Sequence, residues 1–236
     1  KKPGHIKYDA SSIEILEGLD PVRKRPGMYI GGTDNKSLHH LVSEVLDNAM
    51  DEAVAGYATN IKIEMISEMK ISIFDNGRGI PIDLHPKFPD KTALEIILCT
   101  LHAGGKFSNE SYSTSGGLHG VGISVVNALS SELKVEIYKN KDIYSQDFSE
   151  GFALNKLNKI GKSLIKSGTK ITFSPDKKIF SDSCYFNPKK IYELAKSKAF
   201  LHSGVTIEWE LDKDMSEKYP EVPLSEKLQF KDGLKD

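Results

Sequence analysis

The sequence lacks the features of a secreted, membrane-spanning or metal-clustered protein. It contains only two cysteines, Cys99 and Cys184, whose spacing matches no metal motif, so we expect a reducing, cytoplasmic compartment. No apolar run approaches the roughly 20 residues that cross a bilayer, and the first residues lack the apolar stretch of a signal peptide. These absences predict a soluble chain with no membrane partner.

An excess of either charge is also missing. Lysine and arginine together number 32, aspartate and glutamate 33, and the formal net charge is -1. A domain built mainly around nucleic acid usually shows a basic excess. The overall composition therefore argues against such a domain, although local basic patches remain open. At 236 residues, the chain is long enough for one large domain or two small ones.

The P-loop pattern Gly-x-x-x-x-Gly-Lys-Ser/Thr does not occur, but another glycine-rich stretch does. Residues 113–124 contain glycines at 117, 120 and 122, directly before a run that predicts a helix at 125–130. Glycine lets the backbone approach a ligand closely, and the unpaired N–H groups at a helix start attract anions. The stretch predicts a phosphate cradle, with an ordinary glycine-rich loop as an equal alternative.

The clearest helical pattern covers residues 39–55. Apolar side chains recur on one face with the helical period, and the opposite face carries His40, Glu44, Asn48 and Asp51. Their spacing brings these four side chains into one narrow stripe. Most such stripes are only solvated surface. An imidazole, a carboxylate and an amide in register are also the components of a general base and a metal ligand.

An acidic turn follows the second predicted strand. Alternating residues at 61–66 and 70–74 predict half-buried strands, and the second strand leads directly into Asp75, Gly77 and Gly79. A turn of this kind carries a carboxylate into a pocket; a plain hairpin turn is the alternative. We expect Asp51 to support a neighbouring basic group, with Arg78 as its partner.

The remaining pattern predicts an α+β two-layer sandwich, because helices separate groups of hairpin-type strands instead of alternating with single strands. Residues 20–32 are predicted to be irregular, with the basic triplet 23–25 as a solvated face and phosphate binding as its alternative. Residues 102–118 are predicted to form a long lid-type loop. Further strands are predicted at 133–138, 143–148, 169–173 and 205–211, and further helices at 12–18, 91–101 and 186–201.

Four motifs follow one another along the chain: Glu44-x-x-x-Asn48, Asp75-x-Gly77-x-Gly79, Gly117-x-x-Gly120-x-Gly122 and Gly168-Thr169. This set resembles the GHKL (Bergerat-fold) ATP-binding family of type II topoisomerase B subunits, Hsp90-type chaperones, MutL mismatch-repair proteins and sensor histidine kinases. Segments 22–30, 101–107 and 116–129 look like the bacterial topoisomerase branch, and residues 97–109 are more similar to topoisomerase IV than to gyrase. The resemblance covers residues 8–211.

The resemblance implies an adenine pocket and a catalytic helix. Asp75 would accept a hydrogen bond from the adenine amino group, with Thr169 joined to the same network through a water. Glu44 would act as the general base and Asn48 as the Mg²⁺ ligand. His40 would orient Glu44. Gly79 and Ile80 would lie beside the adenine ring, and Val45, Ile73 and Ile123 would form the apolar walls of the adenine pocket.

The resemblance also implies a phosphate-binding lid and a dimer. Phosphate contacts would come from Lys106, Tyr112, Gly117, Leu118, His119, Gly120, Val121 and Gly122. Tyr8 in the arm 1–12 matches a tyrosine that reaches the ATP site of a second protomer, so ATP would close a homodimer. Residues 13–211 would form the ATP-binding domain, and 212–236 a segment leading to a further subdomain.

The implied activity is the ATPase part of an ATP-dependent type II DNA topoisomerase, whose partners are the A subunit and DNA. A Gln-Thr-Lys motif that contacts the γ-phosphate in relatives does not occur in this sequence, so we expect weak hydrolysis and weak dimerisation. Lys139 stands where gyrase relatives carry an arginine that contacts aminocoumarin inhibitors. A MutL- or Hsp90-like ATP-switched clamp is the alternative, and a histidine-kinase catalytic domain is a third reading.

Overall fold

The computed structural model describes residues 16–101 and 122–230. Within these ranges the helices are α1 (Asp20–Lys24), α2 (Gly27–Ile30), α3 (Asn35–Val54), α4 (Ala93–Cys99), α5 (Gly122–Ala128), α6 (Pro188–Leu201) and α7 (Lys213–Ser216). The strands are β1 (Asn60–Ser67), β2 (Lys70–Asp75), β3 (Leu84–His85), β4 (Phe88–Thr92), β5 (Ser130–Lys139), β6 (Asp142–Ser149), β7 (Phe152–Ala153), β8 (Asn158–Lys162), β9 (Ser167–Pro175), β10 (Thr206–Leu211) and β11 (Ser225–Leu228).

Nine of these strands form one mixed sheet. Its order is β11-β10-β1-β2-β9-β5-β6-β7, with β8 also paired to β6. The pair β1–β10 is parallel and the other pairs are antiparallel. Strands β3 and β4 form a separate hairpin. The helices pack against the large sheet, which confirms the predicted α+β two-layer sandwich. No described helix is long and apolar enough to cross a membrane.

Helix α3 is the central element of the helical layer. It begins at Asn35, four residues before the predicted start, because the Asp34 side chain accepts a hydrogen bond from the Ser37 N–H at 2.8 Å and caps the first turn. The predicted apolar face is buried in the core, and burying each large aliphatic side chain contributes about 1.5–3 kcal/mol. Its buried apolar residues are Leu38, Leu41, Val42, Val45, Leu46, Ala49 and Met50.

The segment 20–32, which the sequence predicts to be irregular, contains two short helices. Pro21 lies in the first turn of α1, where its missing N–H costs no helical hydrogen bond. Helix α2 ends at Gly31, whose φ of 84° is the left-handed conformation of a helix C-terminus. Residues 16–18 are not helical, so the described part of the predicted helix 12–18 is wrong; residues 12–15 lie outside the described residues.

The basic triplet 23–25 is only partly a solvated face. Lys24 and Arg25 are exposed, but the Arg23 side chain is 17% exposed. Its guanidinium donates to the carbonyl oxygen of Ala128 and to Asp176 Oδ2, both at 2.7 Å. Arg23 therefore binds the last carbonyl of α5, a position that favours a cation, and ties that helix to the end of β9.

The described part of the charged segment after residue 211 belongs to the same sheet. Strand β11 pairs with β10 in antiparallel fashion. The indole N–H of Trp209 donates to the Pro223 carbonyl at 2.8 Å, and the Leu211 N–H donates to the Leu224 carbonyl at 2.7 Å. Residues 212–230 thus continue the sheet beyond β10, although their sequence has no clear period.

Candidate functional site

The polar face of α3 carries the predicted base. Glu44 is 12% exposed in its side chain, and its Oε1 lies 3.4 Å from Nε2 of His40, one turn earlier. A Cβ atom added to Gly122, the first residue of α5, would lie 3.6 Å from Glu44 Oε2. The carboxylate of Glu44 therefore faces the last glycine of the predicted phosphate cradle. Asn48 is half-buried one turn further along α3.

Asp75 ends β2 as a buried carboxyl group, 4% exposed. Burial raises the pKa of Asp75 to about 7, and the negative charge of Glu52 acts in the same direction. The Gly77 N–H donates to Asp75 Oδ1 at 2.9 Å and partly offsets this rise in pKa. A carboxyl group balanced between its two forms near neutral pH gains from any further N–H donor, because a donor stabilises the carboxylate.

The turn after Asp75 lies directly against β9. Gly79 has a φ of 81°, and a Cβ atom there would lie 3.1 Å from the Gly168 carbonyl oxygen. A Cβ atom on Gly168 would lie 2.3 Å from the Asp75 carbonyl oxygen, so no larger residue fits. Asp75 is the register partner of Thr169, whose hydroxyl accepts from the Ile80 N–H at 3.1 Å. The predicted residues of the acidic turn and β9 thus form one tight group.

Glu52 joins this group from α3. Its Oε1 accepts from the Arg78 Nη2 group at 2.7 Å, and its Oε2 accepts from the Arg78 backbone N–H at 3.0 Å. The guanidinium also lies 3.8 Å from the centre of the Tyr57 ring, within cation–π range. Glu52 therefore supports Arg78, the basic group for which the sequence predicted Asp51 as partner; Asp51 itself is buried, with 5% of its surface exposed.

The two groups lie along one helix. Glu44 and Glu52 are eight residues apart, which corresponds to about 12 Å along the helix axis. Glu44 faces Gly122 at one end, and Glu52 contacts Arg78 at the other. Asn48 lies midway between them on α3. This arrangement suits an elongated ligand that meets a buried carboxyl group at one end and a carboxylate beside the glycine stretch at the other.

Comparison with known protein families identifies the family of this chain. The family described as histidine kinase-, DNA gyrase B- and HSP90-like ATPases matches residues 33–179. The chain belongs to this ATPase family. The match includes both ends of α3, the acidic turn, β9 and the glycine stretch.

Relatives that match most of this chain are named as B subunits of type II topoisomerases. The chain is 62% identical over 229 residues to the DNA topoisomerase 4 B subunit of Rickettsia felis, covering 97% of this chain and 34% of that protein. The identity is 50% over 230 residues with the corresponding protein of Caulobacter vibrioides, covering 98% and 33%. With the DNA gyrase B subunit of Chlamydia pneumoniae it is 48% over 219 residues, covering 91% and 27%.

A solved structure agrees with these relatives. The 43K ATPase domain of Thermus thermophilus gyrase B, crystallised with an aminocoumarin, matches with a TM-score of 0.77 at 37% identity. The match covers 92% of this chain and 52% of that chain. The predicted resemblance to the topoisomerase branch is confirmed. The chain spans about a third of the length of the curated relatives it matches.

Several predicted site residues of this ATPase fold can be placed and others cannot. Val45, Ile73 and Ile123 are buried in the core cluster. The following predicted contacts lie outside the described residues: Tyr8, Lys106, Tyr112, Gly117, Leu118, His119, Gly120 and Val121.

The acidic turn is not the hairpin that the sequence left open. Strand β2 pairs with β1 and β9, and the next strand, β3, belongs to a separate sheet. The Asn76 side chain accepts from the N–H groups of Thr59 and Asn60 at 2.8 and 2.9 Å and fastens the turn to the start of β1. Glu52 is the residue that sequence reasoning missed; it lies eight residues after Glu44 and to one side of the polar stripe, so the helical pattern gives no signal for it.

Proposed function

We propose that this chain binds ATP and supports its hydrolysis as the ATPase part of a type II DNA topoisomerase B subunit of the topoisomerase IV type. The observation that carries the proposal is the spacing of two groups along α3. Asp75, a buried carboxyl group with a raised pKa, lies beside one end of the helix. Glu44, whose carboxylate faces the glycine stretch, lies at the other. Membership of the ATPase family supports ATP as the elongated ligand.

The adenine ring belongs at the Asp75 end. Asp75 would accept a hydrogen bond from the exocyclic amino group, and the Thr169 hydroxyl, 4% exposed, would share a bridging water. Gly79 and Ile80 would lie against the ring. A base that lacked the amino group would leave a buried acceptor unpaired, at a cost of about 1–3 kcal/mol. The site therefore favours adenine over bases without a donor at that position.

The hydrolytic water belongs at the Glu44 end. Glu44 would accept the proton from the attacking water as general base. His40 contacts Glu44 Oε1 at 3.4 Å and would act as a positioning residue. The phosphates would be held by the backbone of Gly117, Leu118, His119, Gly120, Val121 and Gly122 and by the side chains of Lys106 and Tyr112, so that the γ-phosphate meets the water beside Glu44.

The residues present fit a magnesium ion that is held mainly by the substrate. Among the described residues, no group of three His, Cys, Asp or Glu side chains could hold a metal alone. Asn48 offers a neutral amide oxygen between the two ends, and Mg²⁺ commonly takes one or two protein oxygens together with phosphates and waters. When bound, the ion neutralises phosphate charge. The residue that would hold it is Asn48.

The longer protein would use this site to drive DNA strand passage. ATP would close a homodimer through Tyr8 and the arm 1–12, and the A subunit and DNA would complete the enzyme in the cytoplasm. Aminocoumarin binding is also proposed, since the similar gyrase domain was crystallised with one. Lys139, 3.6 Å from Asp83, cannot reproduce the planar fork of an arginine, so we expect weaker aminocoumarin binding than in arginine-bearing relatives.

Calorimetric titration with a non-hydrolysable ATP analogue and Mg²⁺ tests the proposal. We compare the parent chain with Asp75→Asn and with Asp83→Asn, which removes the same charge from an exposed turn. The parent and Asp83→Asn should bind alike, and Asp75→Asn should bind roughly ten-fold more weakly or not at all, because its amide presents a donor to the adenine amino group. Equal binding by both variants would remove Asp75 from the adenine site.

A further inference from the structure

A strongly basic tip lies at one edge of the large sheet. We define the lysine tip as residues 139–142, which join β5 to β6, together with residues 158–166, which form β8 and the following loop. It contains five lysines and one aspartate, in a chain whose net charge is -1. The lysines are Lys139, Lys141, Lys159, Lys162 and Lys166. None of the catalytic or nucleotide-binding roles proposed above uses them.

The backbone brings these lysines together. Asn140 and Lys141, with φ angles of 55° and 68°, form the tight turn between β5 and β6. The Ser163 N–H donates to the Lys141 carbonyl at 2.9 Å, and Lys162 is the register partner of Asp142. Lys166 precedes Ser167, which pairs with Lys139. Five positive side chains therefore project from one narrow set of paired strands.

Carboxylates neutralise only part of this charge. Lys159 lies 2.7 Å from Asp142, and Lys139 lies 3.6 Å from Asp83. The other three lysines, Lys141, Lys162 and Lys166, are exposed and form no ion pair with any residue in 16–101 or 122–230. Neighbouring like charges on paired strands are unfavourable. An anionic partner that brings several negative charges at close spacing would relieve that repulsion.

We propose that the lysine tip binds the phosphate backbone of duplex DNA. The proposal rests on the proposed function in one respect, that a DNA topoisomerase meets duplex DNA. A narrow β-ribbon fits a groove about 12 Å wide, and its lysines would reach the phosphates on either side. Residues 139–166 contain no arginine. Lysine–phosphate contacts carry no sequence information, so binding is sequence-independent.

An anionic lipid surface is the competing partner and fits the tip less well. The apolar side chains exposed on the tip are Leu164, fully exposed, Ile160, 56% exposed, and Ile165, 37% exposed. Peripheral membrane binding usually draws on a wide apolar helix face beside the basic residues. The tip consists of strands and turns, and three aliphatic side chains, without a helix face to extend them, offer little area for insertion. The charge pattern therefore favours a polyanion in water.

Fluorescence anisotropy with a labelled duplex of about 20 base pairs at low salt tests the proposal on chain 1–236. The tip variant is Lys141→Ala/Lys162→Ala/Lys166→Ala. The control is Lys189→Ala/Lys213→Ala/Lys227→Ala, which removes three exposed lysines from α6, α7 and β11 at the opposite edge and gives the same net charge. Thermal melting of each variant verifies that it is folded.

The tip variant should lose roughly ten-fold or more in duplex affinity, with a salt slope smaller by about 2.7, the value for three lost phosphate contacts. The control should keep its affinity within about two-fold at matched salt. Equal losses in both variants, or no loss in the tip variant, would overturn the proposal. So would tip-dependent binding to phosphatidylglycerol vesicles without binding to the duplex.

The same variants separate this proposal from the ATP site. The tip variant should bind the ATP analogue as the parent does, and Asp75→Asn should bind the duplex as the parent does. If Asp75→Asn binds the analogue as tightly as the parent does while the tip variant loses the duplex, the adenine assignment fails and the DNA surface stands. The reverse pattern removes the DNA surface alone.

Discussion

The two ends of α3 are built in different ways. At the end proposed to bind adenine (the adenine end), the backbones of Asp75, Gly79 and Gly168 are so close that a methyl group added to Gly168 would collide with the Asp75 carbonyl oxygen. At the end of the proposed general base (the base end), Glu44 lies 3.4 Å from His40. A Cβ atom on Gly122 would still be at an ordinary van der Waals distance from the Glu44 carboxylate. The adenine end is therefore part of the fold, whereas the base end is a side chain presented by a helix.

This difference implies that the two ends respond differently to substitution. Changes at the adenine end should reduce stability and binding together, because the pocket and the sheet share the same backbone. Changes at the base end should affect chemistry alone. The largest effect is expected for turnover, and smaller ones for stability and for binding.

Glu44→Gln should reduce ATP hydrolysis by about 10²–10⁴-fold in the full-length protein, the usual contribution of a general base. Binding of a non-hydrolysable analogue should stay within about two-fold of the parent, because the amide keeps the size and one acceptor of the carboxylate. Phosphate release and calorimetry measure the two quantities.

The matched control for this experiment is Asp47→Asn, on the same helix, whose carboxylate pairs with Lys198 Nζ at 2.5 Å. It should leave hydrolysis unchanged. If Glu44→Gln weakened binding as strongly as turnover, Glu44 would be a binding residue and the contrast between the two ends would fail.

Gly168→Ala should lower the free energy of unfolding by about 1–3 kcal/mol, the usual cost of overpacking a closely packed site. The new Cβ would lie 2.3 Å from the Asp75 carbonyl oxygen, and neither strand can move without breaking the pairing of β2 with β9. Chemical denaturation measures the change.

Gly161→Ala in β8 is the control for this substitution, because a Cβ there meets nothing within 4 Å. Its free energy of unfolding should change by about 0.5 kcal/mol or less, as expected for a surface position. Similar losses in both variants would show that the tight contact at Gly168 carries no special constraint.

Glu52→Gln should weaken analogue binding by roughly five- to ten-fold, about the loss of one charge-assisted hydrogen bond. The carboxylate accepts three hydrogen bonds from Arg78 and so holds the turn that follows Asp75. Turnover at saturating ATP should be unaffected, because Glu52 is two turns from Glu44. Steady-state kinetics would contradict the account if kcat fell and KM did not change.

The fold and most of the site could be predicted where a residue pattern corresponds to one local structure. The 3.6-residue period of α3 and the alternation in β1 and β2 follow from the burial of one face. Glu44, Asp75 and Thr169 lie on the helix, the strand end and the strand that the sequence predicts for them, and Gly79 lies in the turn after Asp75. Their roles in binding and catalysis stay predictions.

Elements that depend on distant contacts could not be predicted in this way. Helices α1 and α2 have five and four residues, too few to show a period, and Arg23 is fixed by residues more than a hundred positions away. Strand β11 is an exposed edge with one buried residue, so no alternation marks it. Glu52 was missed because adjacent helical residues differ by 100° in direction, and Asp51 shares the stripe of Glu44 more closely in the sequence pattern.

The raised pKa of Asp75 also has a consequence for stability. A carboxyl group whose folded pKa is about 7, against an ordinary value of 3.8, binds more protons in the folded than in the unfolded state between these pH values. Its contribution to stability is therefore complete below pH 4 and is lost as the pH rises through 7. The free energy of unfolding of Asp75→Asn should therefore rise relative to that of the parent as the pH increases over that interval. Urea denaturation at several pH values measures this difference.

The most direct test of the central claim is the carboxyl ¹³C resonance of Asp75, assigned by its disappearance in Asp75→Asn and followed by NMR from pH 4 to 9. Without nucleotide, the titration midpoint should lie near pH 7. With the ATP analogue at saturation it should fall by about one unit or more, because the adenine amino group stabilises the carboxylate. A midpoint that does not move on binding would show that adenine does not meet Asp75, and would contradict the account.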